Sequence, residues 1–321
     1  MPPQSTAVRC LVLGGGGFLG GHLVAALEDT GSRVRVFDRL PRRSAAAPVS
    51  SATEWHEGDF GNRGDVAALQ CSSDVAFHLV ATTLPRTSNE DPVHDLESNL
   101  LPTVRFLDLA LEHGVKKVVF ASSGGTVYGP PRTVPVPETH PTQPLCSYGI
   151  HKLAIEQYLH LYQSLHGLAY CVLRLANPFG ERQRSDASQG VVAVFLDLAL
   201  RGDEVTVWGD GSAVRDYVYV GDVARAFCMA ATHPSPTGVF NIGSGYGHSV
   251  NDLLAAIEDL LGRPVRRRYV QGRPFDVPVN VLDTTLAART LGWQPRVAFR
   301  DGLERTLEAL RRTRAGQRQP E

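Results

Sequence analysis

Residues 7–38 read AVRCLVLGGGGFLGGHLVAALEDTGSRVRVFD: an apolar run from Ala7 to Leu13, four glycines, an amphipathic stretch from Leu19 to Leu27, and a second apolar run from Arg33 to Phe37. Short apolar runs bounded by glycine predict buried strands, and the amphipathic stretch predicts a helix. Strand, tight turn, helix, strand is the repeating unit of a parallel sheet. The turn satisfies both G-x-G-x-x-G (Gly15, Gly17, Gly20) and the looser G-x-x-G-x-x-G (Gly14, Gly17, Gly20). Backbone without Cβ atoms can turn sharply and approach a pyrophosphate, whose charge meets free N–H groups and the positive end of the following helix dipole. A glycine cluster alone is equally a flexible turn; its place between a strand and a helix is what points to an anion site.

Asp38 closes the second run, 18 residues after Gly20, where a carboxylate can accept hydrogen bonds from an adenosine ribose. The same carboxylate would repel the 2′-phosphate of NADP, so NAD is the expected cofactor. Arg39, Arg42 and Arg43 weigh the other way, since a guanidinium can pair that phosphate, unless they form a solvated loop. Further apolar runs, from Val75 to Val80, Lys117 to Ala121 and Ala169 to Leu175, alternate with helix-like stretches from Leu100 to Glu112 and Tyr148 to Leu165. The expected fold is α/β: a doubly wound parallel (Rossmann) sheet with a smaller, interleaved C-terminal α/β substrate domain. Residues 1–176 are assigned to the NAD-binding domain. Residues 177–321 go mainly to the substrate domain, because turn-rich segments such as Gly209-Asp210-Gly211 and Gly243-Ser244-Gly245 follow Asn177-Pro178. The run from Val239 to Ile242 predicts a return to the first sheet, which would bring 221–245 back into the first domain. The polar tail from Arg311 to Glu321 is expected to fray.

Composition removes other classes of function. The 321 residues carry 32 basic and 33 acidic side chains, spread along the chain, so no basic stripe is available to a nucleic acid. A hydrophobic content of 43% is enough for a real core. No apolar run approaches the roughly 20 residues of a membrane span. Met1 to Thr6 lack the charged start and apolar stretch of a secretory signal, so a cytoplasmic protein is expected. The five cysteines (Cys10, Cys71, Cys146, Cys171, Cys228) form no C-x-x-C pair and lie near no zinc-spaced histidines; they read as reduced thiols, and no metal is expected.

Tyr148-Gly149-Ile150-His151-Lys152 sets a phenol and an ammonium one turn apart on one helix face. A phenol with a pKa near 10 is a poor base at neutral pH; moving it by about 3 units takes roughly 4 kcal/mol of preferential stabilisation of the phenolate. A fixed ammonium together with the positive nicotinamide ring of NAD could supply it. The alternative is a chance pair on an amphipathic helix. Composition weakens it: lysine occurs only at Lys116, Lys117 and Lys152, against 29 arginines, so a lysine here marks a need for a compact, titratable charge. His151, on another face, reads as an ordinary helix residue.

The glycine turn, Asp38, Ser122-Ser123 after an apolar run and the Tyr148/Lys152 pair occur in the order seen in extended short-chain dehydrogenases/reductases. The chain resembles, from about Val8 to Leu310, the NAD-dependent epimerase/dehydratase family typified by UDP-glucose 4-epimerase. Further similar strings are VFASSGGTVYG from Val119, LRLANPFG from Leu173, WGDGS from Trp208, and Arg215-Asp216-Tyr217-Val218. The resemblance implies that Ser123, Tyr148 and Lys152 are catalytic, with Ser123 hydrogen-bonding the reacting sugar hydroxyl. It implies that Gly14, Gly17, Phe18, Leu19, Gly20, Asp38, Asp59, Phe60, Leu79 and Asn99, with Tyr148 and Lys152, contact NAD, Asp59 at the adenine and Asn99 on the nicotinamide side. It assigns Ser123, Thr126, Asn177, Arg215, Arg273 and Asn280 to the nucleotide sugar, with Asn177, Arg215 and Arg273 on the diphosphate. Blander readings stand beside these: Asn177 before Pro178 as a turn residue, Arg215 beside Asp216 as a surface pair, Asn99 as a helix cap. One residue more than in some relatives separates the serines from Val127, so Ser123 or Thr126 falls at the hydroxyl-binding position; counting from Phe120 favours Ser123. Leu13 stands where many relatives have threonine.

The implied reaction inverts C4 of a UDP-hexose or UDP-N-acetylhexosamine. Tyr148 takes the hydroxyl proton while hydride leaves the same carbon for NAD, the 4-keto sugar turns over, and the hydride returns to its other face. A dehydratase of the family needs an acid/base pair just ahead of Val127-Tyr128-Gly129, where this chain has Gly125 and Thr126. A reductase or dehydrogenase with exchangeable cofactor needs only the same residues and stays open. The intact Ser123, Tyr148 and Lys152 set argues against a non-catalytic NAD-binding regulator. Alignment with the family pattern puts Asn280 beside the sugar's 2-substituent, where a residue smaller than tyrosine admits an N-acetyl group; the alternative is a solvent-facing strand residue. The helices carry more apolar positions than one sheet face requires, so a homodimer is expected.

Overall fold

Strand β1 (Arg9–Leu13) is buried from Cys10 onward, as its unbroken apolar run requires of a strand covered on both faces. In the computed structural model, which describes residues 7–42, 49–69, 72–185, 190–234, 237–272 and 277–317, β1 pairs in parallel with β2 (Arg33–Asp38) on one side and β4 (Val75–His78) on the other. Strand β3 (Glu54–Glu57) continues the sheet beyond β2; β5 (Lys117–Ser123), β6 (Ala169–Leu175) and β10 (Gly238–Ile242) continue it beyond β4. The order is β10-β6-β5-β4-β1-β2-β3. It is the expected doubly wound sheet, with Val239 to Ile242 in its returning strand. The order reverses between β1 and β4, and the ends of those strands make the crevice where such sheets take ligands.

Helix α1 (Phe18–Asp29) follows the glycine turn, and the short α2 (Arg63–Ala67) precedes β4. The helix expected from Leu100 begins eight residues earlier: α3 (Pro92–Asp95), a π-helical turn (Leu96–Leu100) and α4 (Leu101–Glu112) run on without a break. Pro102 cannot donate to the carbonyl four residues back and its ring crowds the preceding turn, so the helix widens there instead of ending. Helix α5 (Ser147–His166) carries the Tyr148/Lys152 pair and stops at Gly167, which takes the left-handed conformation with φ 72°.

The chain divides into two compact units. One comprises Met1–Val127, Pro144–Arg174 and Ala224–Phe240, with a core that includes Leu11, Leu13, Phe37, Phe106, Phe120 and Ile155. The other comprises Tyr128–Gln143, Leu175–Val223 and Asn241–Glu321. The elements after β6 are β7 (Asn177–Phe179), α6 (Val191–Arg201), β8 (Val205–Trp208), β9 (Val214–Tyr219), α7 (Val220–Thr232), β11 (Gly247–Ser249), α8 (Val250–Leu261), β12 (Arg267–Val270), β13 (Val279–Asn280), α9 (Thr285–Leu291) and α10 (Phe299–Gln317). Strand β9 organises the second unit, pairing antiparallel with β11 and parallel with β13 and β7, while α6, α8 and α10 supply Val192, Leu196, Leu253, Ile257, Leu303 and Leu307 to its core. Among the described residues no helix is long and apolar enough to cross a membrane.

Candidate active site

The glycines after β1 have separate physical jobs. Gly14 sits at φ +85°, and its N–H donates to the Phe37 carbonyl. A Cβ on Gly15 would lie 2.6 Å from Val36 Cγ1, and one on Gly20 would lie 2.1 Å from the Gly14 carbonyl oxygen, so strand, turn and helix close up only without side chains there. A Cβ on Gly17 would meet only the Gly14 oxygen at 3.5 Å, an ordinary contact. Gly17 therefore leaves the outer face of the turn open. It caps α1 without a side chain, so no side chain competes for the N–H groups at the start of the helix, where Phe18 and Leu19 are half-buried. A pyrophosphate fits that open cradle. Leu79 borders it: its N–H donates to the Leu13 carbonyl, and its backbone passes 3.2 Å from where a Gly14 Cβ would be.

Asp38, almost fully buried, is pinned by two backbone donors, Gly16 N–H to Oδ2 and Leu40 N–H to Oδ1, both 2.8 Å. Each oxygen keeps acceptor capacity for a ribose hydroxyl. Of the arginines weighed against NAD, Arg42 donates to the carbonyls of Thr53, Val49 and Ser50, which makes it a staple of its own loop; Arg39 is exposed, and Arg43 lies outside the described residues. Asp59 is exposed and accepts from Gly61 N–H. The Phe60 ring lies in the core against His78 (centroids 5.1 Å apart) and Phe106, so a contact with a cofactor would be made by its backbone. Asn99 is buried, accepts from Thr82 N–H (2.9 Å) and donates to the Asp95 carbonyl (2.9 Å), tying down the loop after β4.

Tyr148 stands half-buried in the first turn of α5, with the fully buried Lys152 one turn on. The Lys152 ammonium donates to the Ala121 carbonyl (2.9 Å) and lies 4.7 Å from the Phe120 ring centroid and 5.5 Å from that of Tyr148. Burial pushes Lys152 down to about 7, with Asp95 and Glu156 pulling it back up. Burial also pushes the Tyr148 phenol upward, and Cys146 and Asp95 add to the rise. The Lys152 ammonium and a bound, positively charged nicotinamide ring would each favour the phenolate against that rise. Ser123 ends β5, and its carbonyl accepts from Thr126 and Val127 N–H, which folds Thr126 back over it. The Thr126 hydroxyl is buried with no hydrogen-bond partner among the described residues, and both hydroxyls weighed for the sugar oxygen sit in one turn.

Cys146 offers α5 no side-chain cap. The helix is capped from elsewhere: Ser147 N–H donates to Asn89 Oδ1 (2.9 Å), Tyr148 N–H to Ser88 Oγ (3.0 Å) and Ser147 Oγ to Asp95 Oδ2 (2.6 Å). His151 is not the ordinary helix residue expected. It is fully buried, its Nδ1 lies 2.9 Å from Asp95 Oδ2, and its ring centroid is 5.0 Å from that of Tyr148.

In the second unit three of the expected substrate residues lie on adjoining strands. Asn280 on β13 is the register partner of Arg215 on β9, and Asn177 on β7 is that of Tyr217, two residues along the same strand. Asn177 Nδ2 donates to the Asp216 carbonyl (3.2 Å). Asp216 is fully buried and accepts from Ser244, Gly245 and Leu282, which excludes a surface pair with Arg215. Asn280 is 2% exposed, so it is no solvent-facing strand residue. Arg273 lies outside the described residues.

Residues 10–243 match the profile described as the NAD dependent epimerase/dehydratase family. The chain belongs to this family. NAD is accordingly its cofactor, and the glycine cradle and Asp38 suit it. Within the family, the chain is similar to UDP-glucose 4-epimerase of Mycolicibacterium smegmatis, 37% identical over 310 residues that cover 95% of this chain and 99% of that one. It is also similar to a protein named putative UDP-glucose 4-epimerase of Methanocaldococcus jannaschii, 35% identical over 302 residues covering 94% and 98%. The crystal structure of UDP-glucose 4-epimerase from Thermotoga maritima with UDP-glucose matches with a TM-score of 0.90 at 37% identity, covering 95% of this chain and 99% of that one.

Proposed function

We propose that this family member is a nucleotide-sugar 4-epimerase that inverts C4 of UDP-hexoses. The observation that carries the reading is the phenol of Tyr148, half-buried beside the buried Lys152 ammonium, with the hydroxyls of Ser123 and Thr126 at the end of β5. Bound NAD would supply the acceptor and donor for hydride at the sugar carbon. Tyr148 takes the C4 hydroxyl proton and gives it back, Ser123 and Thr126 hold the reacting oxygen, and Lys152 steadies the phenolate. Asp38 takes the adenosine ribose, Gly14, Gly17 and Gly20 admit the pyrophosphate, and Asn99 supports the nicotinamide side by shaping the loop at Thr82. Arg215, Asn177 and Arg273 take the nucleotide diphosphate. No co-substrate is consumed, which separates this reading from a reductase. UDP-glucose deuterated at C4, incubated without added cofactor and followed by proton NMR, should give UDP-galactose with its deuterium retained. Loss of the label, or turnover only with added NADH, would point to the reductase. Run on UDP-N-acetylglucosamine, Asn280→Leu should raise KM about tenfold while UDP-glucose stays within about threefold, as expected if the amide meets an acetamido group.

The same reading includes a cytoplasmic homodimer. Val93, Leu96 and Leu101 on the first long helix and Ile150, Leu161 and Leu165 on α5 are exposed large apolar side chains, a surface suited to pairing across a two-fold axis. Light scattering at micromolar concentration should give twice the 34.8 kDa chain mass; a monomer would contradict it.

A further inference from the structure

Asp95 is fully buried, and none of the donors it meets carries a fixed positive charge. Thr83 Oγ1, Ser147 Oγ and Asn99 Nδ2 are neutral, and the fourth donor is His151 Nδ1. Burial works against the ionised carboxylate, but Ser147, Thr83 and His151 outweigh it and hold Asp95 below its ordinary range. His151 is kept neutral: burial first and Lys152 second push the imidazole down to about 4, and its buried Nε2 has no hydrogen-bond partner among the described residues. The Asp95 carboxylate thus keeps a full negative charge in the interior, which is costly unless an opposite charge lies nearby.

Lys152 is the complementary case. Its ammonium is buried, donates to the Ala121 carbonyl, and among the described residues has no carboxylate in contact. The other acid acting on it, Glu156 one turn along α5, is already paired with Arg174 on β6 (2.6 Å) and accepts from Ser122 on β5. Among the described residues, the other titratable groups facing the cluster are Tyr148 and Cys146 on the α5 side and His78 on β4. Burial keeps all three neutral.

We propose that Asp95 is the counter-charge that keeps Lys152 an ammonium ion inside the site, with His151 as the neutral link that holds the carboxylate and packs against the Tyr148 ring. Asp95 and His151 are positioning residues, acting through Lys152 and Tyr148. The inference rests on the proposed partnership of those two residues in epimerisation, and its test reads the lysine independently of turnover.

A buried negative charge favours the ammonium and disfavours the phenolate, so removing it moves both groups to lower pH. In Asp95→Asn, which keeps the shape and most hydrogen bonds, both limbs of the kcat profile should move down by about one pH unit. Ser147→Ala, which removes a donor but keeps the charge, should leave both limbs in place. With carbon-13 at lysine Cε the chain gives three signals, and that of Lys152, with NAD bound, should titrate about one unit lower in Asp95→Asn than in the wild type. An unmoved Lys152 signal overturns the proposal even if activity falls. A shifted signal in a protein that epimerises nothing supports the counter-charge and sinks the epimerase reading instead. If Asp95→Asn does not fold, Lys152→Met is the reciprocal variant. It removes the ammonium and should bring the Asp95 carboxyl back up towards its ordinary range, so the stability that the depressed carboxyl gives the wild type above about pH 4 should be smaller in the variant. Parallel stability curves for the two proteins would overturn the proposal.

Discussion

Tyr148→Phe is expected to lower kcat by about a thousandfold while fold, NAD content and UDP-sugar affinity stay close to wild type. The substitution removes one oxygen. The ring remains against His151, the N–H of residue 148 still donates to Ser88 Oγ, and α5 keeps every cap it had. What disappears is the atom that takes the C4 proton. A water molecule would have to replace it without the field of Lys152 fixed on its oxygen. Because burial holds the phenol above its ordinary range in the protein alone, the wild-type acid limb of kcat should report the NAD-bound state and not the free chain. Steady-state kcat with UDP-glucose, alongside melting temperature and cofactor absorbance, separates the outcomes. Activity within tenfold of wild type would remove Tyr148 from the proton transfer.

Gly20→Ala should abolish NAD retention and destabilise the protein. A Cβ there would lie 2.1 Å from the Gly14 oxygen and 2.7 Å from Gly15 Cα, both backbone atoms that cannot rotate aside. Either α1 withdraws from the turn or the turn opens, and each destroys the geometry that brings N–H groups to a pyrophosphate. Overpacking of this kind costs about 1–3 kcal/mol, so Tm should fall by several degrees. Gly17→Ala provides the contrast: its Cβ meets no protein atom closer than 3.5 Å but occupies the open face of the turn. It should melt like wild type and still bind NAD at least tenfold more weakly. Normal NAD affinity in both variants would mean that the glycine turn does not hold the cofactor.

The first sheet was legible because strands covered on both faces are written as unbroken apolar runs, and because Gly14, Gly17, Gly20, Asp38, Tyr148 and Lys152 lie in local patterns whose chemistry follows from spacing. Strand β3 was not anticipated: it lies at the edge of the sheet, reads Glu-Trp-His-Glu, and only Trp55 is even half-buried. Pro102 hid the helix start at Pro92, since a proline ordinarily marks an end and here marks a π-helical turn. Asp95 and His151 gave no signal at all. They are 56 residues apart, and each taken singly looks like a solvated helix charge. The second unit was faint for a related reason: β13 has two residues and exists only through its pairing with β9.

The remote capping of α5 bears on how the chain tolerates change. The first two N–H groups of the helix are held by the side chains of Asn89 and Ser88, 58 and 60 residues earlier in the chain, and not by the residue that precedes it. The phenol takes part of its placement from the loop after β4. The loss of one side chain at position 88 or 89 therefore reaches the proton-transfer geometry directly, although neither residue lies on the helix that carries the phenol.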